Sequence, residues 1–302
     1  MNKHILTLSE LKKNDFDKLF ARALELKKRH KKGIKDLFLT GKTLGLIFNK
    51  PSTRTRLSFE AAMAHLGGTS LFISTQDTQM SRNEPIKDTA RVLSRYLDCV
   101  AIRTYDQAFI EEFAAYSTIP VINALTDLYH PCQVLSDILT VIEFKKSYKD
   151  IKIAWVGDGN NVAHSWMNAA AELSLNLVLA CPEAYLPDQH ITKKVQEKCS
   201  TIQIVSDPEK AVHDADVIYT DVWSSMGHED EQEVRKQVFE PFQVNSTLVG
   251  KASKHVIVMH CLPAHIGEEI SEDVLEGPHS VVWDQSENKL HMHKAILEML
   301  MT

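Results

Sequence analysis

A short stretch near residue 50 combines the residue types that bind a negatively charged group. Lys50-Pro51-Ser52-Thr53-Arg54-Thr55-Arg56 follows an apolar run and precedes residues with helical spacing. Ser52 and Thr53 are good N-cap residues, and a helix N-terminus offers unpaired backbone N–H groups and partial positive charge. Arginine in a first turn opposes the helix dipole unless an anion or a buried acid meets it. The stretch predicts an anion site at a strand–helix junction, and an ordinary capped helix is the alternative.

Two further polar residues of the first half stand where predicted strands end. Arg103 ends the strand that starts at Cys99, and His130 precedes Pro131, which opens a helix. The helix dipole lowers the pKa of a histidine at such a position and favours neutral imidazole. A neutral imidazole that donates to a carbonyl oxygen can stabilise a developing oxyanion. A surface arginine and a satisfied loop histidine remain the alternatives.

The second half places polar residues at strand ends in the same way. Gly157-Asp158-Gly159 follows a strand but lacks the third glycine of a dinucleotide fingerprint, because position 162 is valine. Asn160 and Asn161 are polar donors at the start of the next helix, and Asp221 could pair with an ammonium group. His260 and Cys261 are neighbours in a strand and point to opposite faces, so neither a metal site nor a Cys/His nucleophile pair is favoured.

The order of predicted elements indicates the fold class. Strands alternate with helices throughout, which is typical of α/β proteins with parallel sheets covered by helices on both faces. We expect two such domains, 1–148 and 149–302, divided at the polar patch 145–150, with a last strand at 281–283 and a C-terminal helix packing back toward the first domain. Ligands of these sheets bind beyond the carboxyl ends of the strands, where the polar residues stand.

Composition narrows the class of protein. The 302 residues carry a formal net charge of −6, which argues against nucleic acid as a partner. Five cysteines without a CxxC pair indicate a reducing, cytoplasmic setting. We expect no membrane association, because no apolar run approaches the roughly 20 residues that span a bilayer and no signal-peptide pattern is present.

Taken together, four motifs in register resemble the aspartate/ornithine carbamoyltransferase family over essentially the whole chain. The first two are Ser52-Thr53-Arg54-Thr55-Arg56 and His130-Pro131-Cys132-Gln133. The others, Asp221-Val222-Trp223-Ser224-Ser225-Met226-Gly227 and His260-Cys261-Leu262-Pro263, are similar to signatures of its ornithine branch. The resemblance implies transfer of a carbamoyl group from carbamoyl phosphate to the δ-amino group of L-ornithine, without metal or organic cofactor.

The resemblance also implies a role for individual residues. Carbamoyl phosphate would be held by Ser52, Thr53, Arg54, Thr55, Gln79, Arg103, His130, Gln133, Cys261, Leu262 and Lys289. Ornithine would be held by Asn161, Asp221, Ser225 and Met226, and catalysis would depend on Arg54, His130 and Cys261. Gln79 would reach a neighbouring subunit's site, which implies a homo-oligomer, most often a trimer. The peptide before Pro263 would be cis.

Two departures from the family pattern leave alternatives open. Lys289 stands where the ornithine branch commonly has arginine, and it keeps the charge without the planar fork. Ile266 stands where many relatives have a basic or polar residue. Another amine acceptor such as putrescine therefore stays open, although the intact Ser225-Met226-Gly227 favours ornithine. Outside this class, a nicotinamide-dependent dehydrogenase and a non-catalytic phosphate sensor remain the other hypotheses.

Overall fold

The computed structural model describes residues 3–74, 84–224 and 232–302. The chain forms two compact units: unit 1 comprises Met1–Leu139 with Glu287–Thr302, and unit 2 comprises Thr140–Ser286. Each unit contains one parallel sheet with helices around it, so the predicted fold class is confirmed. The C-terminal helix belongs to unit 1 from Glu287 onward, as predicted.

Unit 1 is built on a four-stranded parallel sheet in the order β2-β1-β3-β4. Its elements are α1 (Lys13–Lys31), β1 (Thr43–Phe48), α2 (Thr53–His65), β2 (Thr69–Ser74), α3 (Ile86–Leu93), β3 (Cys99–Arg103), α4 (Gln107–Tyr116), β4 (Val121–Leu125) and the first part of α5 (Pro131–Lys145). Strand order reverses at β1, which has β2 on one side and β3 on the other. Ligands bind at such a switch point, so the topology places the β1–α2 junction at the preferred site.

Unit 2 is built on a five-stranded parallel sheet in the order β7-β6-β5-β8-β9. After the end of α5 come β5 (Lys152–Val156), α6 (Asn161–Leu173), β6 (Asn176–Ala180), α7 (Gln189–Lys198), β7 (Ile202–Val205), α8 (Pro208–Val212), β8 (Val217–Thr220), α9 (Gln232–Phe239), α10 (Ser246–Val249), β9 (Ile257–His260), α11 (Glu272–Leu275) and the start of α12 (Val282–Met301). Strand order reverses at β5, so the loops after β5 and β8 flank this unit's switch point.

Two local expectations were wrong. The last strand predicted at 281–283 is instead the start of α12, which begins at Val282. Val282 is buried in the core of unit 2, so its apolar character reflects packing rather than a sheet position. Pro85 is the N-cap of α3 rather than its first helical residue, since its ψ of 136° is extended. No helix of the described residues is both long and apolar enough to cross a bilayer.

Polar contacts tie α12 to α1 within unit 1. Arg22 donates through two nitrogens to Glu298, at 2.7 and 2.8 Å. The buried Lys27 ammonium lies 2.8 Å from Asn288 Oδ1. A bidentate arginine–carboxylate pair and a buried hydrogen bond have defined geometry, so the register of α12 on α1 is fixed at both ends.

Three histidines from different helices meet in unit 1. His30 of α1 stacks on His65 of α2 with ring centroids 4.7 Å apart, and it lies 5.7 Å from His291 of α12. Burial lowers the pKa of His291 from 6.5 to about 4, although its contact with Glu287 at 3.2 Å opposes that change. Burial likewise lowers the pKa of His65. Burial therefore favours the neutral form of His65 and of His291.

This cluster predicts that the fold loses stability in mild acid. Because the pKa of His291 is lower in the folded state, the unfolded chain binds more protons, and the free energy of unfolding falls as pH drops from 6.5 toward 4. The slope is about 1.4 kcal/mol per pH unit for each proton taken up. We expect the melting temperature of His291→Gln to fall less than that of the parent between pH 7 and pH 4.5.

The measurement is thermal denaturation followed by circular dichroism at several pH values. His213→Gln serves as control, because His213 is an exposed histidine beside Asp214, and it should retain the parent's profile. Parallel profiles for His291→Gln and the parent would contradict the prediction.

Candidate active site

The β1–α2 junction forms as the sequence predicts. β1 and β3 run side by side, with Phe48 in register with Arg103, so both strands deliver polar residues to the same edge. Ser52 caps α2: its Oγ accepts a hydrogen bond from the Thr55 N–H at 3.3 Å. Thr53 is the first helical residue. The first turn of α2 therefore presents its N–H groups beyond the end of the central strand.

The three cations of this stretch have different surroundings. Lys50 is buried, pairs with Asp127 and lies 4.1 Å from the centre of the Tyr105 ring. Arg56 pairs with Glu60 at 2.9 Å and stacks over Phe72. Within the described residues, no carboxylate forms an ion pair with Arg54. Two of the three cations are thus neutralised by the fold, and Arg54 is the one that remains for an anion.

Lys289 of α12 connects two of the predicted ligand-binding residues. Its ammonium, 4% exposed, donates to Thr55 Oγ1 at 3.1 Å and to Gln133 Oε1 at 3.0 Å. Gln133 in turn donates from Nε2 to Asp137 at 2.8 Å. The structure therefore brings α2, α5 and α12 together at Thr55, Gln133 and Lys289.

His130 is buried at the start of α5. Burial is the main cause that lowers its pKa well below 6.5, and the charges of Lys289, Arg103 and His293 lower it further. Burial and neighbouring charges thus favour the predicted neutral imidazole, in addition to its position at a helix start. Since Lys289 and Arg103 both act on His130, these three groups lie within one electrostatic environment.

In unit 2, the residues after β5, β8 and β9 meet around Asp221. This buried carboxylate accepts hydrogen bonds from Asn160 Nδ2 at 2.8 Å, from the Cys261 thiol at 2.9 Å and from the Val222 N–H at 2.8 Å. No lysine or arginine in the described part of the chain pairs with Asp221. A buried carboxylate with hydrogen bonds but no cation is a suitable partner for an ammonium group.

Asn160 belongs to this group, although it was not among the predicted ligand-binding residues. It is the N-cap of α6, and its Oδ1 accepts from the N–H groups of Val162 and Ala163. With Oδ1 engaged in capping, its Nδ2 is directed to Asp221. The N-cap position was visible in the sequence, but the contact with Asp221 depends on β5 and β8 being neighbours.

The other predicted residues of unit 2 differ in what the structure describes. Asn161 is the first residue of α6, and its carbonyl oxygen accepts from Ser165 Oγ at 2.9 Å. Leu262 has a positive φ of 57° and donates its N–H to His260 Nδ1, and the Leu262–Pro263 peptide is cis, as the resemblance implied. Ser225, Met226 and, in unit 1, Gln79 lie outside the described residues.

Among the described residues of unit 2, two side-chain groups have the composition of a metal site. The first is Asp221, His260 and Cys261, whose potential ligand atoms lie within 4.8 Å of one another. However, His260 Nδ1 accepts from the Leu262 N–H, so its Nε2 carries the proton and donates to Glu269 at 3.0 Å. Both ring nitrogens are therefore engaged, and metal binding would break one of these bonds.

The second group is His265, Glu268 and Glu269. Glu268 pairs with Lys236 at 3.0 Å, while Glu269 accepts from His260 and from the His265 N–H at 2.6 Å. These carboxylates already have protein partners, so the group fits a structural role better than cation binding.

The glycine turn after β5 does not have the geometry of a dinucleotide site. A Cβ at Gly159 would collide with the backbone of Leu186 and Pro187, so this glycine is required by protein packing. Asp158 pairs with the buried Arg235, which also donates to the Trp223 carbonyl oxygen. The backbone of residues 186–187 and the Asp158–Arg235 pair thus fill the space that a pyrophosphate would need beside this turn.

Comparison with known proteins agrees with both units. Residues 3–143 match the aspartate/ornithine carbamoyltransferase carbamoyl-P binding domain, and residues 149–300 match the Asp/Orn binding domain of the same family. Proteins named ornithine carbamoyltransferase from Syntrophus aciditrophicus and Desulfotalea psychrophila are 55% and 56% identical; the alignments cover 99% of this chain and 100% and 99% of those proteins. The solved ornithine carbamoyltransferase from Pyrococcus furiosus is 50% identical, with a TM-score of 0.95 over 99% of this chain and 96% of that one. The chain belongs to the aspartate/ornithine carbamoyltransferase family.

Proposed function

We propose that this chain transfers the carbamoyl group of carbamoyl phosphate to the δ-amino group of L-ornithine, producing L-citrulline and phosphate. Full-length relatives at 55% and 56% identity bear the name of that activity. In this proposal residues 1–148 bind carbamoyl phosphate and residues 149–302 bind ornithine. The family matches to residues 3–143 and 149–300 support this assignment of one substrate to each range.

The observation that carries the proposal is a pair of charges that the described fold does not neutralise. In unit 1, Arg54 stands in the first turn of α2 without an acidic partner. In unit 2, Asp221 is a buried carboxylate without a lysine or arginine partner. A phosphate satisfies the first and an ammonium group satisfies the second. Carbamoyl phosphate and ornithine supply one of each.

Unit 1 would bind and activate the donor substrate. The first turn of α2, from Ser52 to Thr55, offers N–H and hydroxyl donors to the phosphate, and Arg54 adds a forked cation. Arg103 and neutral His130 donate to the carbamoyl oxygen, where negative charge develops during attack. In this scheme Gln133 and Lys289, which contact each other, face the same carbamoyl group.

Unit 2 would bind and orient the acceptor. Asp221 holds the α-ammonium of ornithine, and Asn161, Ser225 and Met226 complete its site. Cys261 and Leu262 lie against the reacting groups, with Cys261 fixed by its hydrogen bond to Asp221. The neutral δ-nitrogen attacks the carbamoyl carbon, a C–N bond forms, the C–O bond to phosphate breaks, and the nitrogen releases a proton. This displacement requires positioning and oxyanion stabilisation but no redox step.

We further propose a cytoplasmic location and a homotrimer. All five cysteines are free thiols, and four are buried, which suits a reducing compartment. In unit 1, β2 is an edge strand whose Leu71 and Phe72 are 50% and 39% exposed, and the segment that holds Gln79 follows it in the sequence. An apolar edge of this kind is suited to contact with a second copy of the chain.

An assay of three acceptors tests the proposed function. We expect the purified protein to form citrulline from carbamoyl phosphate and ornithine, with a kcat/KM at least 100-fold above that for putrescine, because the carboxyl-bearing α-carbon and its ammonium are recognised. Aspartate should give no product, because a dicarboxylate needs more cations than the described residues around Asp221 offer. Preferential carbamoylation of putrescine would contradict the proposal, and phosphate binding without turnover would indicate a sensor.

Arg54 and Arg56 form a matched pair for testing the anion site. Arg54→Ala should reduce kcat/KM for carbamoyl phosphate by about 10³-fold or more, because a charge-assisted bidentate contact to the phosphate is lost. Arg56→Ala removes the same charge two residues later, but Arg56 already pairs with Glu60, so we expect less than a fivefold change. Steady-state kinetics with varied carbamoyl phosphate measures both. Equal losses would show that net charge, rather than the position of Arg54, matters.

Mixing two inactive variants tests whether Gln79 serves a neighbouring subunit. Arg54→Ala and Gln79→Ala trimers, each impaired alone, should regain activity after reversible dissociation and reassembly, because some sites then combine an intact Arg54 with a neighbour's intact Gln79. Random mixing of equal amounts restores about a quarter of the sites in a closed ring. Light scattering establishes the oligomeric state. If no activity returns from hybrids of confirmed composition, both residues act within one subunit.

A further inference from the structure

His293 is a buried residue of α12 that the proposed chemistry does not use. It follows Lys289 by four residues, so both side chains lie on the same face of the helix. Lys289 reaches Thr55 and Gln133 from that face. Burying a histidine completely is costly unless its ring makes specific contacts. The contacts of His293 therefore indicate what the residue does.

Within the described residues, the hydrogen-bond and ring-stacking contacts of His293 are with α2. Its Nδ1 lies 3.0 Å from Ser58 Oγ, and its ring stacks on Phe59 with centroids 3.7 Å apart and an interplanar angle of 8°. Ser58 Oγ donates to the Thr55 carbonyl oxygen at 3.0 Å. A chain of hydrogen bonds therefore runs from α12 through Ser58 to the first turn of α2.

Thr55 is held at each of its polar atoms. Its N–H donates to Ser52 Oγ, its Oγ1 accepts from the Lys289 ammonium, and its carbonyl oxygen accepts from Ser58. Two of these three contacts originate on α12, one directly and one through His293. The position of the turn thus depends on α12 as well as on its own N-cap.

The protonation of His293 suits this role. Burial lowers its pKa well below 6.5, and the charge of Lys289 lowers it further. A neutral ring with its proton on Nδ1 donates to the Ser58 hydroxyl, whose own proton goes to the Thr55 carbonyl oxygen, without placing another positive charge beside Lys289. The contact between His293 and Ser58 is therefore present over the pH range in which the ring is neutral.

We propose that His293 is a positioning residue of the carbamoyl phosphate site: by holding Ser58 and Phe59, it fixes the first turn of α2 so that its N–H groups and Arg54 meet the phosphate. This inference rests on the proposed function. Misplacement of binding groups by about 1 Å can cost 100-fold in rate, so a residue outside the site can set substrate affinity through the turn.

The test compares three substitutions at His293 and Ser58. His293→Phe keeps a ring on Phe59 but loses Nδ1, and Ser58→Ala removes the other partner of the same hydrogen bond. We expect His293→Phe to raise KM for carbamoyl phosphate and Kd for inorganic phosphate about tenfold, the loss of one hydrogen bond, with KM for ornithine unchanged. Ser58→Ala should raise both constants at least as much, because it also removes the bond to the Thr55 carbonyl oxygen. The double variant should equal Ser58→Ala, because that substitution already removes the contact with His293 together with the bond to Thr55. His293→Asn, whose amide can occupy the place of Nδ1, should restore most of the affinity.

His291→Phe is the matched control. It replaces another buried histidine of α12, but one that contacts Glu287 and His30 rather than the first turn of α2. It should lower melting temperature without changing KM for carbamoyl phosphate or Kd for phosphate.

The outcomes separate this inference from the proposed function. If His293→Phe loses thermal stability but both constants stay within twofold of the parent, His293 is only structural and the inference is wrong. If His293→Phe fails to fold, constants within twofold of the parent in Ser58→Ala would contradict the inference, and full recovery by His293→Asn would support it. If the parent binds phosphate in a His293-dependent manner but makes no citrulline, the proposed function fails while the positioning role of His293 stands.

Discussion

The buried ammonium of Lys289 is the contact on which the unit 1 site depends. It joins α12 to Thr55 and Gln133, which are 234 and 156 residues away in the sequence. An ammonium group removed from water is costly unless hydrogen bonds replace its hydration, so its partners must be in place when α12 docks. The same charge helps to keep His130 neutral. One side chain therefore contacts the first turn of α2 and adds to the burial that keeps His130 neutral.

This dependence explains why the last helix of the chain returns to the first unit. A cation at Thr55 supplied from α2 itself would oppose the helix dipole, as Arg54 and Arg56 already do. Supplied from α12, it can be oriented by separate contacts with α1, such as Arg22 with Glu298 and Lys27 with Asn288. The lysine at position 289 has no planar fork, yet its tetrahedral ammonium reaches two oxygens on different helices. Lys289 therefore acts mainly by holding Thr55 and Gln133 in place, although it lacks the planar fork of the arginine that is common in the family.

The sequence was sufficient to predict what local rules control. The β1–α2 junction, the Ser52 cap and the parallel architecture follow from apolar runs, capping preferences and strand–helix alternation. The partner of Lys50 could not be predicted, because Lys50 meets Asp127 only once β4 lies in the sheet. Asn160 was missed as a partner of Asp221 for the same reason. The strand expected at 281–283 was wrong because a buried helix start and a short buried strand share one apolar pattern.

Both units have a capped helix after the strand at the switch point, but the surroundings of the two helix ends suit groups of opposite charge. In each, a strand at the switch point is followed by a capped helix, but the caps differ in strength. Ser52 accepts a single long hydrogen bond of 3.3 Å, so most N–H groups of the first α2 turn stay available beside Arg54. Asn160 accepts from two N–H groups at 2.9 and 3.2 Å and uses its amide to hold Asp221. The first arrangement attracts an anion, whereas the second closes the helix end and presents a carboxylate. A reaction between an anionic donor and an acceptor with an ammonium group requires one site for each charge, and the two caps contribute to that difference.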